Sequence, residues 1–138
     1  MKYWDSSALL PLIVHESASS RMTTALEEDP AIVTWWGTPI ECVSAIARLE
    51  RDQHLDAAGV REALARLRAV AEIWTEVPAV PLVREQATRL LRLHPLRAAD
   101  AVQLAAALVA SDFEPGSLEF VTLDQRQATA AEREGFRV

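Results

Sequence analysis

Cysteine occurs once in the 138 residues, at Cys42, and lysine once, at Lys2. One cysteine excludes an internal disulfide and a thiolate metal cluster. The three histidines, His15, His54 and His94, are scattered without ligand spacing, so they give no support to an imidazole site. No apolar run approaches the roughly 18 to 20 residues of a membrane span. Asp5 interrupts the first residues, and no long apolar region with a small-residue cleavage site follows, so a cytoplasmic protein without membrane contact is expected. The phosphate loops G-x-G-x-x-G and G-x-x-x-x-G-K-[ST] are missing, as is the nucleophile elbow G-x-S-x-G. Ser6 and Ser7 have no histidine with motif support, which argues against a serine triad.

What is there is ordinary globular material, 50% hydrophobic and 25% charged, enough for a real core. The length suits one domain, taken as residues 1–138. The net charge of −6 disfavours a polyanionic partner on its face. The charge is uneven, however. The segment from Arg84 to Arg97 carries Arg84, Arg89, Arg92, Arg97 and His94 against Glu85 alone.

Strand and helix patterns alternate. Strand-like runs are residues 2–4, AIVTW (31–35), IWTEV (73–77) and LEFVTL (118–123). Helical spacing covers 7–15, 18–28, 38–53, 60–73, 80–93, 98–111 and 124–134. Gly59 implies a break at 55–58, Gly135 closes the last helix, and 136–138 read as a final strand. This alternation predicts an α/β fold with a mostly parallel central sheet flanked by helices.

In open parallel sheets, sites form beyond the carboxyl ends of the strands. Asp5 follows the first strand and Asp124 follows the last long one. Glu41 opens the helix after AIVTW, and Asp100 opens an alanine-rich helix. Each has a structural explanation, because acids are favoured in a first helical turn. T-P-I-E at 38–41 predicts a capping box with Thr38 as cap and Glu41 third. Together they say more. Leu9 and Leu10 near Asp5, and Ala101, Val102, Leu104 and Ala105 near Asp100, predict partly desolvated carboxylates. Gathered carboxylates repel and stay ionised together only against a cation. Oxygen donors without histidine or cysteine favour Mg²⁺ or Mn²⁺, and such sites suit phosphoryl chemistry.

Four stretches carry a resemblance: YWDSSALLPL, TPIECVSAIARLER, HPLRAADAVQLAAAL and FVTLDQRQATAAEREGF. They resemble PIN-domain ribonucleases, specifically the VapC-type toxins of VapBC toxin–antitoxin pairs, along the whole chain and without departure at the four acids. The resemblance implies a three-layer PIN-like fold and a metal-dependent endoribonuclease leaving 3′-hydroxyl and 5′-phosphate ends. It implies an acidic quartet of Asp5, Glu41, Asp100 and Asp124 around Mg²⁺ or Mn²⁺. Asp5 and Asp100 would be direct ligands. Glu41 would ligate or orient the attacking water, and Asp124 would serve a second metal or a water-mediated position. Ser7 and Thr122 would orient neighbouring carboxylates, or act only as caps and strand-end polarity.

The same resemblance implies a homodimer, and a hetero-oligomer with a small VapB-like antitoxin. That partner would block the site with a basic or aromatic segment and would itself bind DNA, this chain not doing so alone. At Trp35-Trp36, strand alternation would turn one ring inward and the other outward beside Glu41, where it could stack a base or receive an antitoxin side chain. Two other readings compete. An aspartate-dependent phosphohydrolase wants D-x-D where this chain has Asp5-Ser6-Ser7, and a lysine where only Lys2 exists; a phospho-receiver fails for similar reasons. A catalytically silent PIN-fold binding module stays open.

Overall fold

A computed structural model describes residues 1–138. The chain runs β1 (Lys2–Trp4), α1 (Ser6–Ile13), α2 (Ser19–Glu28), β2 (Ile32–Trp35), α3 (Thr38–Arg51), α4 (Ala57–Ala71), β3 (Thr75–Val77), α5 (Pro81–Leu93), α6 (Ala98–Ala110), β4 (Glu119–Val121) and α7 (Gln125–Glu134). A short 3₁₀ turn, Pro115–Ser117, precedes β4. The four strands form one sheet in the order β3-β2-β1-β4, with every pairing parallel. In register, Tyr3 lies beside Val33 on one side and Phe120 on the other.

Adjacent residues on β1 show how the layers arise. Tyr3 and Trp4 are both fully buried, and they belong to different core clusters. Successive strand side chains point to opposite faces, so a strand covered on both sides must be apolar throughout. Tyr3 packs with Val33, Val77 and residues of α5, α6 and α7, and stacks on Phe120 at 5.3 Å between ring centres. Trp4 packs with Leu9, Ile13, Met22, Ile46, Leu67 and Trp74 on the other face. The result is the α/β, helix–sheet–helix arrangement of a PIN-like fold. The alanines of α6 let that helix sink into the first cluster: Ala101, Leu104, Ala105, Ala106 and Ala107 are all fully buried.

Several boundaries differ from expectation. The first helix begins at Ser6, with Asp5 as its N-cap, and ends at Ile13 where Val14 becomes extended. The break expected at 55–58 is present and lies slightly earlier, at 52–56, with Gly59 beyond it. That glycine lies in the first turn of α4 and donates its N–H to Asp56 Oδ1 at 2.7 Å, so the helix starts at Ala57 rather than Val60. The capping box at 38–41 does not form. Gly37 holds the cap position without a side-chain bond, while the Thr38 hydroxyl is buried against Thr34 and Glu41 turns elsewhere. Residues 136–138 form one bridge, Arg137 with Glu119, rather than a strand. Gly135 closes α7 as expected, in the left-handed region at φ 99° that glycine adopts without strain.

Candidate active site

The strand order reverses at β1: β2 and β3 lie to one side, β4 to the other. Ligands of open parallel sheets bind in the crevice beyond the carboxyl ends at such a switch point. Asp5 leaves β1 there, and Thr122 to Asp124 leave β4 there.

Asp5 is buried, with 2% of its surface exposed. Oδ1 accepts the Ala8 N–H at 3.1 Å, the capping bond, and the Ser7 hydroxyl at 2.7 Å. Oδ2 accepts the Thr122 hydroxyl at 2.9 Å. Those donors favour the ionised form, yet burial outweighs them and pushes the carboxyl up to about 7, with Glu41 adding repulsion. The capping role is therefore real but incomplete. A surface cap would not cost this much desolvation.

Glu41 accepts the Ser6 hydroxyl at 2.7 Å on Oε2 and the Gln103 amide at 3.0 Å on Oε1. Burial raises its pKa and the Asp100 carboxylate adds to the rise. Both acids line a cavity of about 660 Å³ together with Ser6, Ser7, Arg48 and Arg97. Asp100 accepts only a long bond, from the Arg97 N–H at 3.4 Å. Asp124 is a helix cap: Oδ1 accepts the Arg126 and Gln127 N–H groups at 2.8 and 3.0 Å. It does not line the cavity, and reaches Asp5 only through Thr122, whose hydroxyl accepts the Asp124 N–H at 3.1 Å.

Repulsion thus links Asp5 to Glu41 and Glu41 to Asp100, while Asp5, like Asp124, lies outside the lining of the cavity. None of the four is paired with an arginine or lysine. No three acids, histidines or cysteines converge closely enough in this conformation to hold one ion. The donor chemistry nevertheless fits a hard cation: oxygen donors only, one of them deeply buried without a counter-charge.

Over 141 aligned positions the chain is 35% identical to Ribonuclease VapC45 of Mycobacterium tuberculosis strain CDC 1551 / Oshkosh and to Ribonuclease VapC49 of strain ATCC 25618 / H37Rv. The alignments cover 99% of this chain and 92% of each relative. The chain belongs to the VapC ribonuclease family. No family model matches it.

This VapC chain contains supporting residues that no motif announces. Gln103 is buried in α6 and directs a chain of bonds through the core. The Tyr3 hydroxyl donates to its Oε1 at 2.7 Å, and its Nε2 donates to Glu41 and to Thr38 Oγ1, both at 3.0 Å. Thr34 donates to the Trp4 carbonyl at 2.7 Å, so Thr38 must donate to Thr34 across their 2.8 Å contact. Every proton in the chain has one direction. The available signal was a glutamine inside A-V-Q-L-A-A-A, polar where the helix is otherwise apolar. Gln127 is similarly buried and donates to the Asp100 carbonyl at 3.3 Å.

The electrostatic reach of Asp5 and Glu41 extends to their neighbours. Burial, Asp5 and Glu41 raise the Tyr3 hydroxyl well above its usual range. Burial and the same two acids push the Cys42 thiol up to about 12, so it is an inert core residue. Trp35 packs against the core, while Trp36 is 54% exposed and meets it edge-on at 6.3 Å.

Proposed function

We propose that this VapC-family chain is one PIN domain acting as a metal-dependent endoribonuclease, the toxin of a toxin–antitoxin pair. The reading rests on one observation above others. Asp5 is a buried carboxylate at the sheet's switch point, raised in pKa, repelled by Glu41 and without an ion-pair partner on the chain. The ribonuclease names of the two relatives support RNA as the substrate.

Asp5 and Asp100 would hold Mg²⁺ or Mn²⁺ directly, with Glu41 beside them and Asp124 through water or at a second ion. When bound, the ion supplies positive charge to the phosphodiester and lowers the pKa of water. Glu41, raised in pKa and fixed by Ser6 and Gln103, is suited to orient the attacking water and take its proton at a carboxylate oxygen. Ser7 and Thr122 hold Asp5 in one rotamer by donating to opposite oxygens. Hydrolysis would leave 3′-hydroxyl and 5′-phosphate ends. A small VapB-like antitoxin would fill the cavity with a basic or aromatic segment, supplying the positive charge the acids lack. The toxin would be a homodimer in the cytoplasm, joined by the antitoxin in a hetero-oligomer. No helix is long and apolar enough to cross a membrane.

A PIN-fold binding module without turnover is the second reading, favoured by the failure of three acids to converge in this conformation. One experiment separates the two. Antitoxin-free protein is incubated with total cellular RNA in Mg²⁺, Mn²⁺ or EDTA, beside Asp5→Asn and Asp100→Asn proteins of verified fold. Discrete metal-dependent cuts with 5′-phosphate ends, absent from both variants, are expected. Equal cutting by the variants would refute the site, and no cutting under either metal would favour the binding module.

A further inference from the structure

The Glu41 and Asp100 carboxylates repel phosphates, so beyond the bound ion, affinity for an RNA strand has to come from arginines on the chain. Two arginines line the cavity, Arg48 and Arg97. From Arg97 the chain leads back through Leu96 and Pro95 to a separate groove of about 200 Å³, between α7 and the turn joining α5 to α6. His94, Pro95, Gln125, Arg126, Thr129 and Arg133 line it, and no carboxylate does. In a chain of net charge −6, that is a local reversal of sign.

The groove also starts close in sequence to one of the acids: Gln125 and Arg126 follow Asp124, the cap of α7, directly. Gln125, Thr129 and Arg133 recur at four-residue spacing and share one face of α7. Arg126 and Arg133 are two helical turns apart, about 10 Å. Both are exposed, and neither they nor Arg97 has an ion-pair partner. Glu134, the acid next to Arg133, is held away by Arg89 and by His94, whose Nε2 lies 2.6 Å from its Oε1. The arginines are left free for an outside anion.

We infer that this groove is the track for the RNA strand on one side of the cleavage point. Arg97, Arg126 and Arg133 contact successive phosphates, and Gln125 and Thr129 hydrogen-bond the backbone. The inference rests on the ribonuclease reading of the cavity and adds a binding surface outside it.

The test uses full-length Asp5→Asn protein, expected to hold RNA without cutting it, and a short fluorescein-labelled single-stranded RNA of mixed sequence. Affinity is followed by anisotropy across a salt series in Mg²⁺ buffer. Adding Arg126→Gln and Arg133→Gln removes two phosphate contacts, so the slope of log affinity against log salt should become shallower by about 1.4. Arg126→Lys with Arg133→Lys should keep the parent's slope. Arg61→Gln with Arg68→Gln, an equal charge change on exposed positions of α4 across the sheet, should leave affinity and slope at the parent's values. An unchanged slope in the groove variant, or an equal loss in the α4 variant, would overturn the track while the nuclease stands. If the parent binds no RNA and the wild type cuts none, the ribonuclease reading itself has failed and the track falls with it.

Discussion

Gln103 donates to Glu41 across 62 positions of sequence, its Nε2 lying 3.0 Å from Oε1. The amide cannot flip, because the Tyr3 hydroxyl donates to its oxygen and Thr38 accepts from its nitrogen. A core residue on α6 thereby sets the angle of an acid on α3.

Replacing Gln103 by leucine keeps the bulk and deletes the bonds. The Tyr3 hydroxyl is left buried without its acceptor, a loss of about 1–3 kcal/mol. RNA cleavage should fall roughly 10- to 100-fold, as for partners that orient a metal-site acid. Urea denaturation gives the first number. Cleavage assayed where both proteins are fully folded gives the second, and a stability loss without an activity loss would remove Gln103 from the site.

Asp5 makes metal-free stability fall as pH rises. Its folded pKa of about 7 lies above the ordinary aspartate value of 3.8. Between those values the unfolded chain has released the proton and the folded chain retains it, so the folded state binds more protons and stability declines with pH. The full contribution is present below about pH 4 and lost above about 7, a change on the order of 4 kcal/mol. Glu41 shifts in the same direction. Glu134 runs the opposite way: its bonds to Arg89 and His94 outweigh burial and lower its pKa, so its contribution is lost as pH falls below about 4.5. Urea midpoints in EDTA at pH 5 and 8 should therefore drop for wild type. Asp5→Asn should flatten the profile and be the more stable protein at pH 8.

Much of this was legible in the sequence, and the failures have common causes. Short continuous apolar runs ending in Asp5 and Thr122-Leu123-Asp124 mark the strands and the functional edge, because a strand buried on both faces has no polar alternation. The T-P-I-E box misled because Thr38 had a stronger use, bonding Thr34 and Gln103 in the core. The break signalled by Gly59 is real but falls a few residues earlier, because a glycine is tolerated in a first turn when Asp56 satisfies its N–H. Gln103 and Gln127 were not found because their partners lie on other elements. The Asp124 carboxylate reads alike as cap or ligand, and here its Oδ1 caps α7.

The two adjacent tryptophans should separate cleanly. Trp35 is half-buried against the core, so Trp35→Ala should cost about 2 kcal/mol. Trp36 is largely exposed, and Trp36→Ala should change stability by less than about 0.5 kcal/mol. If its ring stacks a base, RNA binding weakens by about 1–3 kcal/mol. Anisotropy with the labelled RNA decides it, and unchanged binding would assign the ring no role with RNA.

Metal affinity should rise with pH across neutrality, because Asp5 must give up its proton to act as a ligand. Titrations in two buffers of different ionisation heat would show proton release on binding at pH 6.5. Release should be smaller at pH 8, where the carboxyl is already ionised.

The most direct measurement is calorimetric titration of Mn²⁺ into purified antitoxin-free protein at pH 8, beside Asp5→Asn and Glu41→Gln. Saturable binding to wild type, abolished by Asp5→Asn and weakened by Glu41→Gln, is the predicted result. No saturable binding to wild type, or equal binding by Asp5→Asn, would mean that the buried carboxylate awaits no cation, and the account of the site would be wrong.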